Sequence, residues 1–323
     1  MDQIIHELKN SRNILLATHA NPDGDAIGSL IAMGLCLDSL NKGVTMYNES
    51  PIPAVYRFLP SVDRVVSHIE KETIFDTAIV LDCGDAERIG EAAQSICKLP
   101  VIINIDHHAT NTGFGNFRLL DSTACATSEI IYRIIKALGA SITKDIAVCL
   151  YTGILTDTGS FRFSNTNRAA FTICDEMVDR GVNPYHIAQR VYGTYSLGRI
   201  KLLNLALDSI EISLNGKLSL MTLTREMLND TGTQPEDADG LINYARRIEA
   251  VKVAVLIQEN PNGSRAKNNS NLYHVSLRSD GTVDVATIAS AFGGGGHESA
   301  SGFNIESTLT KIKSQIFNLA ETL

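Results

Sequence analysis

Asn13-Ile14-Leu15-Leu16-Ala17-Thr18-His19-Ala20-Asn21-Pro22-Asp23-Gly24-Asp25 is the stretch whose reading decides the fold. Residues 13–17 read as a short buried strand, and a turn rich in Pro, Gly and Asp follows it. A helix then runs over 25–40, with its apolar residues at Ile27, Leu30, Ile31, Leu35 and Leu37. Gly43 closes that helix. Three further apolar runs, 44–47, 77–81 and 101–105, read as strands, and helices are predicted over 126–138, 144–155 and 167–180. Strands so continuously apolar suit a parallel sheet covered on both faces. The alternation of strand and helix predicts a doubly wound, largely parallel α/β domain over residues 1–190.

Beyond Tyr195 the texture changes. Residues 191–207 read as a linker with a helix at 196–207, and 208–323 as a smaller α/β domain. Strands are expected there at 211–213, 218–224, 250–259 and 273–278, with helices at 238–247 and 285–292. Residues 260–271, rich in Asn, Gly and Ser, read as a hairpin loop. Two lobes joined by a helix make a cleft, and the smaller lobe is expected to hold part of the substrate there.

Composition fits this two-domain reading. The chain has 323 residues, 44% hydrophobic and 20% charged, with no Trp. No apolar run reaches the ~20 residues that span a bilayer. The start, Met-Asp-Gln-Ile-Ile-His-Glu, carries acids where a secretory signal carries basic residues, so a cytoplasmic protein is expected. The six cysteines stand singly, without a C-x-x-C pair, and read as small core residues. A net charge of −8 argues against coating long nucleic acids, though not against small anionic substrates held by cations. Residues 1–190 hold 16 basic and 22 acidic groups, which places any metal there.

The polar residues fall where such a sheet would gather them. Strand one ends in Thr18 to Asp25, strand three in Asp82, and strand four in Asp106-His107-His108. The carboxyl ends of parallel strands share one crevice. Asp157, in Thr156-Asp157-Thr158-Gly159-Ser160, follows an apolar helix and can join them. His19, Asp23, Asp25, Asp82, His107 and Asp157 thus form a candidate ligand set. Each aspartate alone also reads as a turn or helix cap; their joint placement favours chemistry. Carboxylates massed in one crevice need cations or protons between them. Carboxylate and imidazole without thiolate suit Mn²⁺ or Mg²⁺, with Co²⁺ and Fe²⁺ also compatible. Two divalent ions sharing one carboxylate activate water for attack on phosphorus, so phosphoester hydrolysis is expected. His6, His68, His186 and His274 have no comparable setting and read as ordinary surface or packing residues.

The segments from His19 to Ser29, Asp82, Asp106-His107-His108 and Thr156 to Phe161 resemble, in order, the four signatures of the DHH phosphoesterase family. Near the chain's end, Gly293-Gly294-Gly295-Gly296-His297-Glu298-Ser299-Ala300-Ser301-Gly302-Phe303, with Arg278-Ser279 ahead of it, resembles the signature of the DHH-associated C-terminal domain. The resemblance implies one metal on His19, Asp23 and Asp82 and a second on Asp25, Asp82, His107 and Asp157, with Asp82 bridging. It implies that His108 hydrogen-bonds the phosphoryl or leaving oxygen and that Asp106 orients the neighbouring imidazoles.

In the second lobe, Arg278, Ser279, Gly293 to Gly296 and His297 would bind substrate. Consecutive glycines let backbone N–H groups approach an anion, and an arginine grips phosphate with two bonds. Arg246, Arg247, Lys252, Arg265 and Lys267 read mostly as solvated surface charge.

Within the family, two domains without appendages resemble the nanoRNase type. Its members degrade RNAs of a few nucleotides, remove the 3′-phosphate of 3′-phosphoadenosine 5′-phosphate (pAp), and in some cases cleave linear or cyclic dinucleotides such as pApA and cyclic di-AMP. Short RNA or small nucleotides are therefore the expected partners, with no long duplex and no membrane; a homodimer is compatible with the resemblance. Inorganic pyrophosphatase or polyphosphatase activity and a non-catalytic nucleotide sensor are the alternatives.

Overall fold

The computed structural model describes residues 1–70, 72–193, 195–260 and 270–322. Arg265, Lys267 and most of the loop expected at 260–271 lie outside the described residues. The chain divides into two compact units, Met1–Thr194 and Tyr195–Leu323.

The first unit runs α1 (Asp2–Asn10), β1 (Asn13–Thr18), α2 (Gly24–Ser39), β2 (Gly43–Tyr47), β3 (Val65–Val66), β4 (Thr77–Leu81), α3 (Ala93–Ile96), β5 (Val101–Asp106), β6 (Phe117–Leu120), α4 (Thr127–Leu138), α5 (Lys144–Asp157), α6 (Arg168–Asp179) and α7 (Pro184–Tyr192). Its sheet is parallel throughout, in the order β3-β2-β1-β4-β5-β6. The sheet therefore grows away from β1 in both directions. A crevice opens at such a switch point, beyond the carboxyl ends of β1 and β4.

The continuous apolar strands are explained by burial on both sides. Ile14, Leu16, Ile79, Leu81, Ile103 and Ile105 enter the larger core, which holds the buried residues of α2, α4 and α5. Leu15, Ala17, Ala78, Val80 and Ile102 face the other side, against Tyr47, Phe75, Ile89 and Ile96. Helix α2 is buried along most of its length. Its closeness to α5 depends on two glycines: a Cβ on Gly28 would lie 2.6 Å from the Cys149 carbonyl oxygen, and one on Gly153 would lie 2.8 Å from Asp25 Oδ1. That approach brings the start of α2, with Asp23 and Asp25, to the end of α5, where Asp157 sits.

The second unit runs α8 (Leu197–Asp208), β7 (Glu211–Ile212), β8 (Leu218–Leu223), α9 (Arg225–Thr231), α10 (Ile242–Arg246), β9 (Val253–Glu259), β10 (Asn271–Ser279), α11 (Val285–Ser290), β11 (Gly295–His297), β12 (Ala300–Ser307) and α12 (Leu309–Leu319). Its sheet has the order β11-β12-β10-β9-β8-β7, parallel at β8–β9 and antiparallel elsewhere. Leu218, Leu220, Val253, Val255, Val275 and Leu277 pack with Val285 and Ala289 of α11 and Ile312 and Ile316 of α12. Met221, Leu223, Ala254 and Leu256 pack on the opposite face with Leu202 and Ala206 of α8 and Ile242 and Ala245 of α10. Helix α8, read as part of a connector, thus contributes to this core.

Several expected elements change. The helix expected at 238–247 is a 3-10 turn at Pro235–Ala238 followed by the short α10. The strand expected from 250 starts at Val253, because Ala250 sits at φ 67°, where an extended strand cannot continue. Elements α1, β3, α3, β6, α7, α9, β11, β12 and α12 were not expected.

Candidate functional site

At the crevice the chemistry starts from Asp82, the residue after β4. It is buried, and its φ of 53° turns the chain sharply just beyond the strand. Its two oxygens face two imidazoles: Oδ2 lies 3.7 Å from His19 Nε2, and Oδ1 lies 3.7 Å from His107 Nε2. Both rings are held by their other nitrogen. His19 Nδ1 donates to the Ala20 carbonyl at 2.9 Å, and His107 Nδ1 donates to the Ala124 carbonyl at 3.2 Å. This orients each ring with Nε2 inward, the nitrogen a metal would take once it is deprotonated.

Around Asp82 the remaining groups close in. Donor atoms of His19, Asp23 and Asp82 lie within 4.8 Å of one another, and so do those of Asp25, Asp82 and His107. Asp157 Oδ2 is 3.6 Å from His107 Nε2 and accepts from Asn165 Nδ2 at 3.0 Å. Asp23 is exposed and caps α2, accepting from the N–H groups of Asp25 and Ala26 at 3.0 Å each. Asp25 is buried and accepts from the N–H groups of Thr127 at 2.6 Å and Ser128 at 2.9 Å. It thereby caps α4, whose own N-cap, Ala126, has no side-chain oxygen. Residues from four parts of the sequence thus lie close together, three of those parts after strands of the sheet and the fourth, Asp157, at the end of α5.

Asp106 and His108 form a second layer of polar contacts. Asp106 Oδ1 accepts from His108 Nδ1 at 2.6 Å and from the His107 N–H at 2.9 Å. Its other oxygen accepts from Asn111 Nδ2 at 2.6 Å, and Asn111 also donates to Asn104 Oδ1 at 2.9 Å. Sequence reading missed Asn104, Asn111, Asn165 and Thr127, whose hydroxyl donates to Asp82 at 2.9 Å. Ala126 was the one signal within reach, since a helix start with no capping side chain asks for a cap from elsewhere.

Electrostatics separates the carboxylates. Burial pushes Asp25 up to about 7, with the charge of Asp82 adding to it. Burial also lifts Asp157 well above the usual carboxylate range, with His107 only partly opposing and Asp25 adding. For Asp82 burial acts in the same direction, but His19, His108 and His107 outweigh it and hold the group low. Burial disfavours a charged His107, yet Asp157 and Asp82 prevail and bring it up to about 9. Without a cation, the buried Asp25 and Asp157 therefore hold protons more tightly than ordinary carboxylates. Buried oxygens, imidazoles with Nε2 inward and no thiolate make a donor set that fits divalent cations.

In the second unit, Arg278 lies on β10, half-buried, with Nη1 donating to the Leu277 carbonyl at 3.0 Å. Ser279 is buried, and its hydroxyl oxygen accepts from the N–H groups of Gly281 at 2.9 Å and Val283 at 3.3 Å, so it holds the turn after β10. The glycine tract is no open anion cradle. The N–H groups of Gly293 and Gly294 donate to Ser290 and Ala289 and close the end of α11, which leaves at most Gly295 and Gly296 for a ligand. Gly294 is needed for packing instead, as a Cβ there would lie 2.1 Å from the Gly302 carbonyl oxygen. Pairing of β11, β12 and β10 puts His297 opposite Ala300 and Ala300 opposite Arg278. Paired residues point to the same side of a sheet, so Arg278 and His297 share a face two strands apart.

Comparison with known proteins agrees with this geometry. The chain matches the DHH family, N-terminal domain, over residues 13–154 and the DHHA1 domain over 217–322. A protein of Thermus thermophilus named bifunctional oligoribonuclease and PAP phosphatase NrnA is 32% identical over 294 residues, covering 91% of this chain and 84% of that protein. A Bacillus subtilis protein of the same name is 28% identical, covering 94% of this chain and 93% of its own. A probable manganese-dependent inorganic pyrophosphatase of Streptococcus agalactiae is 25% identical over 76% of this chain and 81% of that protein. The crystal structure of an exopolyphosphatase-related protein from Bacteroides fragilis superposes with a TM-score of 0.86 at 27% identity, covering 98% of this chain and 95% of that one. With both units matched, this chain belongs to the DHH family and is a metal-dependent phosphoesterase.

Proposed function

We propose that the protein hydrolyses RNAs of a few nucleotides and removes the 3′-phosphate of pAp, in the cytoplasm where RNA turnover yields such fragments. One observation carries this reading: the Asp82 carboxylate stands between two imidazoles, each fixed with Nε2 inward. His19, Asp23 and Asp82 would hold one divalent cation and Asp25, Asp82, His107 and Asp157 the other, with Mn²⁺ the first candidate and Mg²⁺ or Co²⁺ alternatives. When bound, such ions neutralise the carboxylates, polarise the phosphoryl oxygens and activate water.

The protein's own groups do the rest. Asp106 fixes the Nδ1–H of His108, so Nε2 is the nitrogen offered to substrate; protonated, it donates to the phosphoryl or leaving oxygen. Asn111 and Asn104 keep Asp106 from turning away. In the second unit Arg278 and His297 present donors to a terminal phosphate. We assign residues 1–190 to metal binding and catalysis, 191–207 to the linker and 208–323 to substrate binding. The names of the Thermus and Bacillus relatives support the substrate class.

A manganese-supplemented turnover panel of pAp, di- to pentaribonucleotides, pApA, cyclic di-AMP and pyrophosphate tests the reading. Turnover of pAp and short RNA well above that of pyrophosphate is expected. Phosphate release from pyrophosphate alone would replace this reading with a pyrophosphatase.

A further inference from the structure

The sheet face that carries Arg278 and His297 continues along the strands. Pairing places Gly295 opposite Gly302, Gly302 opposite Ser276, and Asn304 opposite His274, which itself faces Gln258 on β9. Three rows therefore share this face: His297, Ala300 and Arg278; then Gly295, Gly302 and Ser276; then Asn304, His274 and Gln258. These three rows offer a guanidinium, two imidazoles and two amides, and a carboxylate, Glu306 opposite Leu272, follows on the same face in the next row beyond His274. The middle row between the arginine and His274 is floored by glycines and a serine. Helices α8 and α10 pack over Ala254 and Leu256 of β9 on this side, while His274 and Asn304 are exposed.

His274 is held in a defined pose. Its Nδ1 donates to Asn304 Oδ1 at 2.8 Å, and its Cε1–Nε2 edge lies 3.4 Å from where a Cβ on Gly302 would be. The ring thus leans across β12 toward the middle row, a pose that a larger side chain at 302 would crowd. Arg278 and His274 are four residues apart on one strand, roughly 13 Å at strand rise. A nucleoside monophosphate extends over about that length.

From this juxtaposition we infer that His274, positioned by Asn304 over Gly302, is a stacking platform for the nucleobase of the nucleotide whose phosphate Arg278 and His297 hold. The inference rests on the proposed phosphate role of those two residues. A flat ring beside a glycine floor stacks on any base, which suits a substrate class defined by length and not by sequence. A base so held fixes the register of the attached phosphate without hydrogen-bond readout.

Ligand-observed NMR titrations of the full chain in EDTA test it, with AMP and ribose 5-phosphate as probes. The unmodified protein should bind AMP about tenfold more tightly than ribose 5-phosphate, within the range that base–aromatic stacking spans. His274→Ala should bring AMP to the ribose 5-phosphate level and leave ribose 5-phosphate unchanged. His274→Phe should restore the preference. Equal affinity of the unmodified protein for both probes, or unchanged AMP affinity in His274→Ala, overturns the platform. Parallel turnover of pAp by the manganese-loaded protein separates the two readings. Turnover without a base preference removes the platform and leaves the phosphoesterase reading standing; a base preference without turnover keeps the platform and removes the proposed activity.

Discussion

Asp82 is the centre of the proposed ligand set, because its two oxygens face the imidazoles of His19 and His107. Asp82→Asn isolates that role. Asn tolerates the positive φ, retains an oxygen to accept from Thr127, and removes only the charge. The variant should fold, bind Mn²⁺ with reduced stoichiometry, and lose roughly a thousandfold in pAp turnover, the scale of several kcal/mol of metal-assisted stabilisation. Turnover within tenfold of the unmodified protein would contradict the bridging role. The six ligand candidates were legible in the sequence because each follows an apolar strand or helix, where polar residues stand out. Their supports were not. Asp25 reaches α4 across 102 positions, and Asn111 gains its meaning only once it faces Asp106. His274 was passed over for the same reason, since its setting is made by Gly302 and Asn304 on a neighbouring strand.

Between elements, the decisive contact is that of α2 with α5, and it depends on missing side chains. A methyl group on Gly153 would collide with Ser128 Oγ and come within 2.8 Å of Asp25 Oδ1. Gly153→Ala should therefore push α5 from α2 and α4, destabilise the metal-free protein by ~1–3 kcal/mol in urea unfolding, and weaken Mn²⁺ binding. A stable variant with unchanged Mn²⁺ affinity would show that the site does not depend on this approach. The strands of the first sheet were readable because burial on both faces leaves uninterrupted apolar runs. The short β6 is only partly buried and gives no such run. Helix α7, capped by Asn183 with Pro184 in its first turn, buries only Ile187 and Val191. Two apolar anchors on nine residues are too faint a period to separate from a loop.

Taken over the whole molecule, folding buries ionisable groups that hold protons until cations replace them. Asp25, brought up to about 7 chiefly by burial from an ordinary 3.8, and His107, brought up to about 9 from 6.5 by Asp157 and Asp82 against burial, both hold protons more tightly folded than unfolded. Such groups stabilise below their unfolded values and cease to do so as pH rises through the folded ones. The melting temperature in EDTA should therefore fall from about pH 4 to pH 9. Asp82 and Asp106, held low, act only below that window. Divalent ions need deprotonated ligands, so the stabilisation given by excess Mn²⁺ should grow over the same range, with protons released on binding. A manganese increment independent of pH would contradict this electrostatic account. The most direct measurement is anomalous diffraction at the manganese edge from crystals soaked in Mn²⁺. Two peaks are predicted, one among His19, Asp23 and Asp82, the other among Asp25, Asp82, His107 and Asp157. A map with no peak touching Asp82 would contradict the two-cation site.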